Sequence, residues 1–255
     1  MLSIDINCDM GESTHLWPYR IDQDHVLLSY VSSINLACGF HAGDPHTMHE
    51  LVEAAITAGV AIGAHPGFDD RDNFGRTNVQ LSPEKIYDLV LYQIGALDAF
   101  LKVMNSRLHH VKPHGALYNM AARDSVLAAA ICKAIYDYDN KLLLYGLSGS
   151  QLITAAHDMG LASCSEVFAD RTYQDDGTLT QRSHENALIT DTQQSLKQVL
   201  QMVQQQTVTS ISGKEVPIVA DTICIHGDGA HAAAFAKAIN ELLATNAIEV
   251  ANVGG

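Results

Sequence analysis

Asp5-Ile6-Asn7-Cys8-Asp9-Met10-Gly11-Glu12 is the stretch on which the fold turns. It completes an apolar run that begins at Leu2, and Asp5, Asn7 and Asp9 alternate in it with Ile6 and Cys8. Side chains of a strand point to opposite faces in turn, so the three polar residues share one face. Burying such a face is costly unless its groups are paired or functional. The interior of a barrel meets that condition near its mouth. On this reading Asp9 is a site residue, while Asp5 and Asn7 either join it or tie down neighbouring loops.

The same grammar recurs down the chain. Residues 31–38 lead into Gly39-Phe40-His41-Ala42-Gly43-Asp44, residues 60–64 into His65-Pro66-Gly67, and residues 108–111 into Lys112-Pro113-His114-Gly115. Residues 142–147 end in Ser148-Gly149-Ser150. Residues 161–168, which carry Glu166, lead into Asp170-Arg171-Thr172-Tyr173, and residues 222–225 into His226-Gly227-Asp228-Gly229. Helical stretches lie between these runs. Asp44 is placed to cap one, with Pro45 at its first position, Met48, Leu51, Val52, Ala55 and Ile56 as its stripe and Gly59 as its end. A second starts at Ser82-Pro83-Glu84 and buries Ile86, Leu89, Val90, Ile94, Leu97 and Leu101; others start near Asp124 and run through Phe235, Ile239 and Leu242. Such alternation predicts parallel βαβ units. It fits a barrel or a doubly wound open sheet. Polar residues follow almost every strand, as in a barrel, where all strand ends share one mouth; an open sheet concentrates its site at one crevice. The expectation is one α/β domain over residues 1–255, a TIM-like barrel that is seven-stranded and irregular. The tail, residues 247–253, supplies an eighth strand or none.

Composition supports a full core: of 255 residues 47% are hydrophobic, 17% charged and 6% aromatic. The formal net charge of -14 disfavours nucleic acid and anionic membranes as partners, and an anionic substrate then needs a local basic pocket. The chain opens without a basic and apolar leader, and no apolar run reaches a membrane-spanning length. The cysteines Cys8, Cys38, Cys132, Cys164 and Cys224 are odd in number with no C-x-x-C pair, which points to reduced thiols and a cytoplasmic protein.

Asp9, His41 and His65 close three successive strands. Together they can hold a divalent metal through nitrogen and oxygen, or act without metal as acid and base. Lys112 at a barrel mouth can neutralise a carboxylate or a developing oxyanion, and His114 is a second proton-transfer group. Arg171 either binds an anion or forms a structural ion pair with Asp170; Arg76 and Arg182 are further anion candidates. Glu12 and Glu166 flank these groups. His226-Gly227-Asp228-Gly229 is either an anion-binding strand-to-helix turn or a plain tight turn. His46 and His49 read as surface residues, and His109 and His110 receive no role. No phosphate loop, dinucleotide fingerprint or nucleophile elbow is present.

Taken together, the stretches 5–12, 35–44, 63–67, 74–76, 111–118, 166–171 and 225–228 resemble the LamB/YcsF family over nearly the whole chain. The resemblance implies a barrel similar to that of glycoside hydrolases and sugar deacetylases. It also implies one component of an ATP-dependent 5-oxoprolinase, which opens the lactam of 5-oxoproline to glutamate with two partner subunits, B and C. ATP is then a co-substrate engaged with the partners. The resemblance makes Asp9, His41, His65, Lys112 and His114 the catalytic set, and Asn7, Glu12, Arg76, Glu166, Arg171, His226 and Asp228 substrate-binding. In the deacetylases one Asp and two His hold a metal, and Asp9, His41 and His65 fall where such a set is expected. Two rivals remain: a stand-alone metal-dependent deacetylase or amidohydrolase, and a non-catalytic subunit that only holds substrate.

Overall fold

The computed structural model describes residues 2–16, 21–182, 184–225 and 232–254, with side chains from residue 24 in the first helix. Strand β1 (Leu2–Met10) is followed by α1 (Ile21–Leu27), β2 (Ser33–Ala37), α2 (Pro45–Ala58), β3 (Ala61–His65), α3 (Pro83–Val103) and β4 (His110–Val111). Next come α4 (Gly115–Ala121), α5 (Ser125–Tyr138), β5 (Leu143–Leu147), α6 (Gln151–Met159) and β6 (Ser163–Phe168). The chain continues through α7 (Thr192–Leu200), β7 (Thr207–Thr209), β8 (Glu215–Pro217), β9 (Thr222–Ile225), α8 (Ala232–Thr245) and β10 (Ile248–Val250).

Strands β1 to β6 and β9 pair in parallel, in the order β1-β2-β3-β4-β5-β6-β9, and β9 returns to β1 to close a seven-stranded barrel. The expected TIM-like barrel is therefore present. The tail does form a strand, β10, but it pairs with Leu2, Ser3 and Ile4 of β1 outside the closed ring. Residues 5–8 of β1 pair instead with β9. The antiparallel pair β7–β8 was not foreseen.

Local chemistry accounts for the elements. The Asp44 carboxylate accepts from the His46 and Thr47 backbone N–H groups at 2.9 and 3.0 Å, and α2 ends at Gly59 in the left-handed region (φ 70°). Its inward stripe is Met48, Leu51, Val52 and Ala55; Ile56, expected on that stripe, is 38% exposed at its edge. Helix α3 buries Ile86, Val90, Ile94, Leu97 and Leu101 as its periodicity requires. Asp124 caps α5 by accepting from Val126 and Leu127 N–H groups, but a short helix, α4, precedes it where sequence periodicity was silent.

Inside the barrel the register aligns Asp9 with Asn35, Asn35 with Gly63, and Gly63 with His110. Gly63 carries no side chain there, and a Cβ at that position would meet His110 Nε2 at 2.1 Å. The gap lets His110 reach over β3 and contact Asn35 Oδ1 at 2.7 Å. Asp5 accepts from Ser32, Ser33 and Thr222 hydroxyls, so the buried polar face of β1 is paired throughout. No helix among the described residues is long and apolar enough to cross a membrane.

Candidate active site

Two clusters adjoin at the C-terminal ends of the strands. The first centres on Lys112, just past β4. Its ammonium lies 2.9 Å from Asp9 Oδ1, 2.7 Å from Glu166 Oε1 and 3.1 Å from Asn7 Oδ1, with Cys224 Sγ at 3.2 Å. Burial alone would pull this amine down, but Asp9, Cys224 and Glu166 outweigh it and hold it well above the usual lysine range. Tyr118, on α4, donates to the other Glu166 oxygen at 2.6 Å. Asn35 donates to Asp9 Oδ1 at 2.8 Å and to Asn7 Oδ1 at 2.7 Å.

The second cluster gathers on Glu12. Its Oε1 is 3.1 Å from His41 Nε2, 3.1 Å from His114 Nδ1 and 3.6 Å from His65 Nε2. His65 Nε2 also lies 3.0 Å from His114 Nδ1 and 3.5 Å from Asp9 Oδ2, which joins the two clusters. Each of two rings is pinned from behind: His65 Nδ1 against the Lys112 carbonyl at 2.7 Å, and His114 Nε2 against the Phe74 carbonyl at 2.8 Å. The loop that carries Phe74 bends through two left-handed residues, Phe74 (φ 57°) and Gly75 (φ 63°). A Cβ on Gly75 would approach His41 Cβ to 2.7 Å.

Electrostatics follow from this crowding. Burial opposes the Glu12 anion, yet His114 and His41 hold its carboxyl below the usual range. Burial, then the adjacent His114, pulls His41 down to about 3 against its bond to Glu12. Burial also acts against the His65 cation, but Asp9 and then Glu12 raise it above the ordinary histidine value. The ligand atoms of Glu12, His41, His65 and His114 all lie within 4.8 Å of one another, a set that could hold a metal.

A cavity of about 650 Å³ opens over both clusters. Asp9, Glu12, His65, Lys112 and His114 line it from the sites above, and Arg76, Arg123, Arg171 and Arg182 line it with cations. In a chain of net charge -14 this is the local basic pocket that an anionic ligand needs. Arg171 is buried and spends two donors on the Ala187 and Thr180 carbonyls, which ties those two residues to the end of β6. Arg76 lies over the Phe74 ring at 4.8 Å.

The sequence candidates thus divide. Asp9, Glu12, His65, Arg76, Lys112, His114, Arg171 and Arg182 meet at one cavity. His41, Asn7 and Glu166 are fully buried behind it, each touching a lining residue. His226 and Asp228 lie outside the described residues. The carboxylate that faces the three histidines is Glu12, not Asp9, which is engaged by Lys112 instead. Sequence reading did not single out Asn35, Tyr118, Arg123 or Cys224. Asn35 was within reach: Ser33 and Asn35 alternate with apolar residues as Asp5 and Asn7 do. His110 proves to be a polar rung inside the barrel, and His46 and His49 are exposed as expected.

Known proteins resemble the chain over nearly its whole length. Residues 4–255 match the LamB/YcsF family. The A subunit of 5-oxoprolinase from Brevibacillus brevis is 57% identical over 251 residues, 98% of this chain and 98% of that protein. The crystal structure of the lactam utilization protein from Thermus thermophilus superposes with a TM-score of 0.91 at 44% identity, covering 98% of this chain and 99% of the other. A family 4 carbohydrate esterase from Streptomyces lividans shares the fold alone, with a TM-score of 0.52 at 12% identity over 97% of this chain and 91% of that one. A match spanning almost every residue, with relatives of equal length, leaves one conclusion: the chain belongs to the LamB/YcsF family.

Proposed function

We propose that this chain is the A subunit of a cytoplasmic, ATP-dependent 5-oxoprolinase, which opens the lactam of 5-oxoproline to glutamate together with subunits B and C. The observation that carries the reading is one cavity in which proton-transfer groups and cations face the same space. The names of the relatives from Brevibacillus brevis and Thermus thermophilus point the same way.

The chemistry sets the requirements. An unstrained lactam is a poor electrophile, and its nitrogen is a poor leaving group. Transfer of a phosphoryl group from ATP to the amide oxygen makes the ring carbon reactive towards water. Among the described residues nothing resembles a nucleotide loop, so the partners carry the ATP step. Asp9 is the base: its Oδ1 is fixed by Lys112 and Asn35, which leaves Oδ2 turned towards His65. It takes the proton of the attacking water and returns it to the ring nitrogen as the C–N bond breaks, which leaves an acyl phosphate that a second water hydrolyses to the glutamate side-chain carboxylate and phosphate. Lys112, a cation in the cavity wall, stands beside the oxygen that becomes anionic. Arg76, Arg123 and Arg182 receive the substrate carboxylate and the phosphoryl group.

The test is 5-oxoproline-dependent release of ADP and glutamate, measured with this chain and subunits B and C together and in every smaller combination. Glutamate is expected from the full set. No glutamate from any combination sinks the reading, and ATP turnover by this chain alone sinks the division of labour. A stand-alone deacetylase would instead act without partners.

A further inference from the structure

We propose that Glu12, His65 and His114 are the ligands of a divalent metal ion of the zinc class, that His41 orients Glu12, and that Asp9 stands outside the ligand set. A carbonyl oxygen can only accept a hydrogen bond. The contacts of His65 Nδ1 with the Lys112 carbonyl and of His114 Nε2 with the Phe74 carbonyl therefore fix where each ring carries its N–H. In the neutral rings His65 Nε2 and His114 Nδ1 are then bare lone pairs. They face each other at 3.0 Å, with Glu12 Oε1 at 3.6 and 3.1 Å. Three acceptors that converge without a hydrogen between them repel one another, and a cation at their centre reverses the sign.

The spacing suits a metal. Ligand bonds of about 2.0–2.2 Å in tetrahedral geometry put donor atoms roughly 3.3–3.6 Å apart. The three separations run from 3.0 to 3.6 Å. A metal-bound histidine almost always donates its other N–H to a carboxylate, carbonyl or water, which is how both rings are held. Two imidazoles and a carboxylate form a donor set for zinc and its first-row neighbours, with a position left open.

His41 takes a different part. Its ring lies flat on that of His114, with centroids 3.7 Å apart and planes 5° from parallel. An ion in the plane of His114 is far out of the plane of His41, whose lone pair cannot aim at it. His41 Nε2 is 3.1 Å from Glu12 Oε1, while its buried Nδ1 has no hydrogen-bond partner. A stranded N–H costs more than a stranded lone pair, so the hydrogen belongs on Nε2, donated to Glu12. Asp9 Oδ1 is taken by the Lys112 ammonium at 2.9 Å, and although its Oδ2 lies 3.5 Å from His65 Nε2, Asp9 is not among the residues whose ligand atoms all lie within 4.8 Å of one another. The set thus differs from one Asp and two His.

The experiment strips the purified full-length chain with a chelator and titrates it with Zn²⁺ by calorimetry and with Co²⁺ by its visible ligand-field absorption. One tight equivalent is expected. His65→Ala and His114→Ala should each lose binding by at least about 100-fold, and His41→Ala should weaken it by about 10–100-fold. Asp9→Asn should stay within a few-fold of wild type. Circular dichroism and thermal melts show whether each variant is folded, and His114→Gln replaces any alanine variant that is not. Wild-type protein that takes up neither ion overturns the proposal and leaves a shared proton in the cluster. Loss of binding in Asp9→Asn with retention in His114→Ala overturns the ligand assignment. These readouts need no turnover, so their failure is separate from failure of the lactam reading, which glutamate formation decides.

Discussion

Lys112 is 3% exposed, and its charge is answered by two carboxylates, Asp9 and Glu166. Lys112→Met leaves both anions without their cation inside the barrel mouth. The expected cost is about 3–5 kcal/mol of unfolding free energy, read from a urea melt, and adding Glu166→Gln should recover part of it. Asp9→Asn keeps the shape but removes the proposed base. kcat in the reconstituted complex should fall by about 10²–10⁴ with little change in KM. A rise in KM alone would favour the non-catalytic reading. Asp9, Lys112 and Glu166 were each legible as polar residues at strand ends. Their mutual contact was not, because it depends on strands β1, β4 and β6 meeting across a closed barrel. The exchange of Asp9 for Glu12 opposite the histidines has the same origin: chain order says nothing about which carboxylate the turn after Met10 swings towards His41.

Elements were legible where capping and periodicity agreed. The Asp44 carboxylate is held below its ordinary value of 3.8, first by the Thr47 backbone N–H. Asp44→Ala should cost about 1 kcal/mol near neutral pH. A depressed folded pKa contributes above the unfolded value and is lost as pH falls through the folded one. The gap between wild type and variant in urea melts should therefore narrow below pH 3.8 and not above it. Gly63→Ala asks for a methyl where His110 already lies, at 2.1 Å, on a backbone of ordinary φ. It should destabilise by about 1–3 kcal/mol through overpacking, and a companion His110→Ala should relieve part of that in a double-mutant cycle. Strand β4 ends at Val111 with the short run 108–111, but it starts later than the run suggested, at His110. Helix α4 and the β7–β8 pair escaped because each is too short to show a period.

At the scale of the molecule, the barrel could be read because polar residues punctuate nearly every strand, and that pattern follows from the shared mouth. Its closure could not be read as directly, since β9 contacts β1 across more than 200 residues of sequence in pairs such as Asp5 with Thr222. All five cysteines are free and buried. A bulky thiol reagent should find almost none of them in the native protein and all five after denaturation; prompt labelling of the native chain would contradict this packing. The β1 strand also binds two strands from late in the sequence, taking β9 along residues 5–8 and β10 along residues 2–4. Strand β1 must therefore wait for partners made more than 200 residues later. Until residues 222–225 and 248–250 emerge, it has an open edge, and the nascent protein is exposed to mispairing while the intervening residues are made.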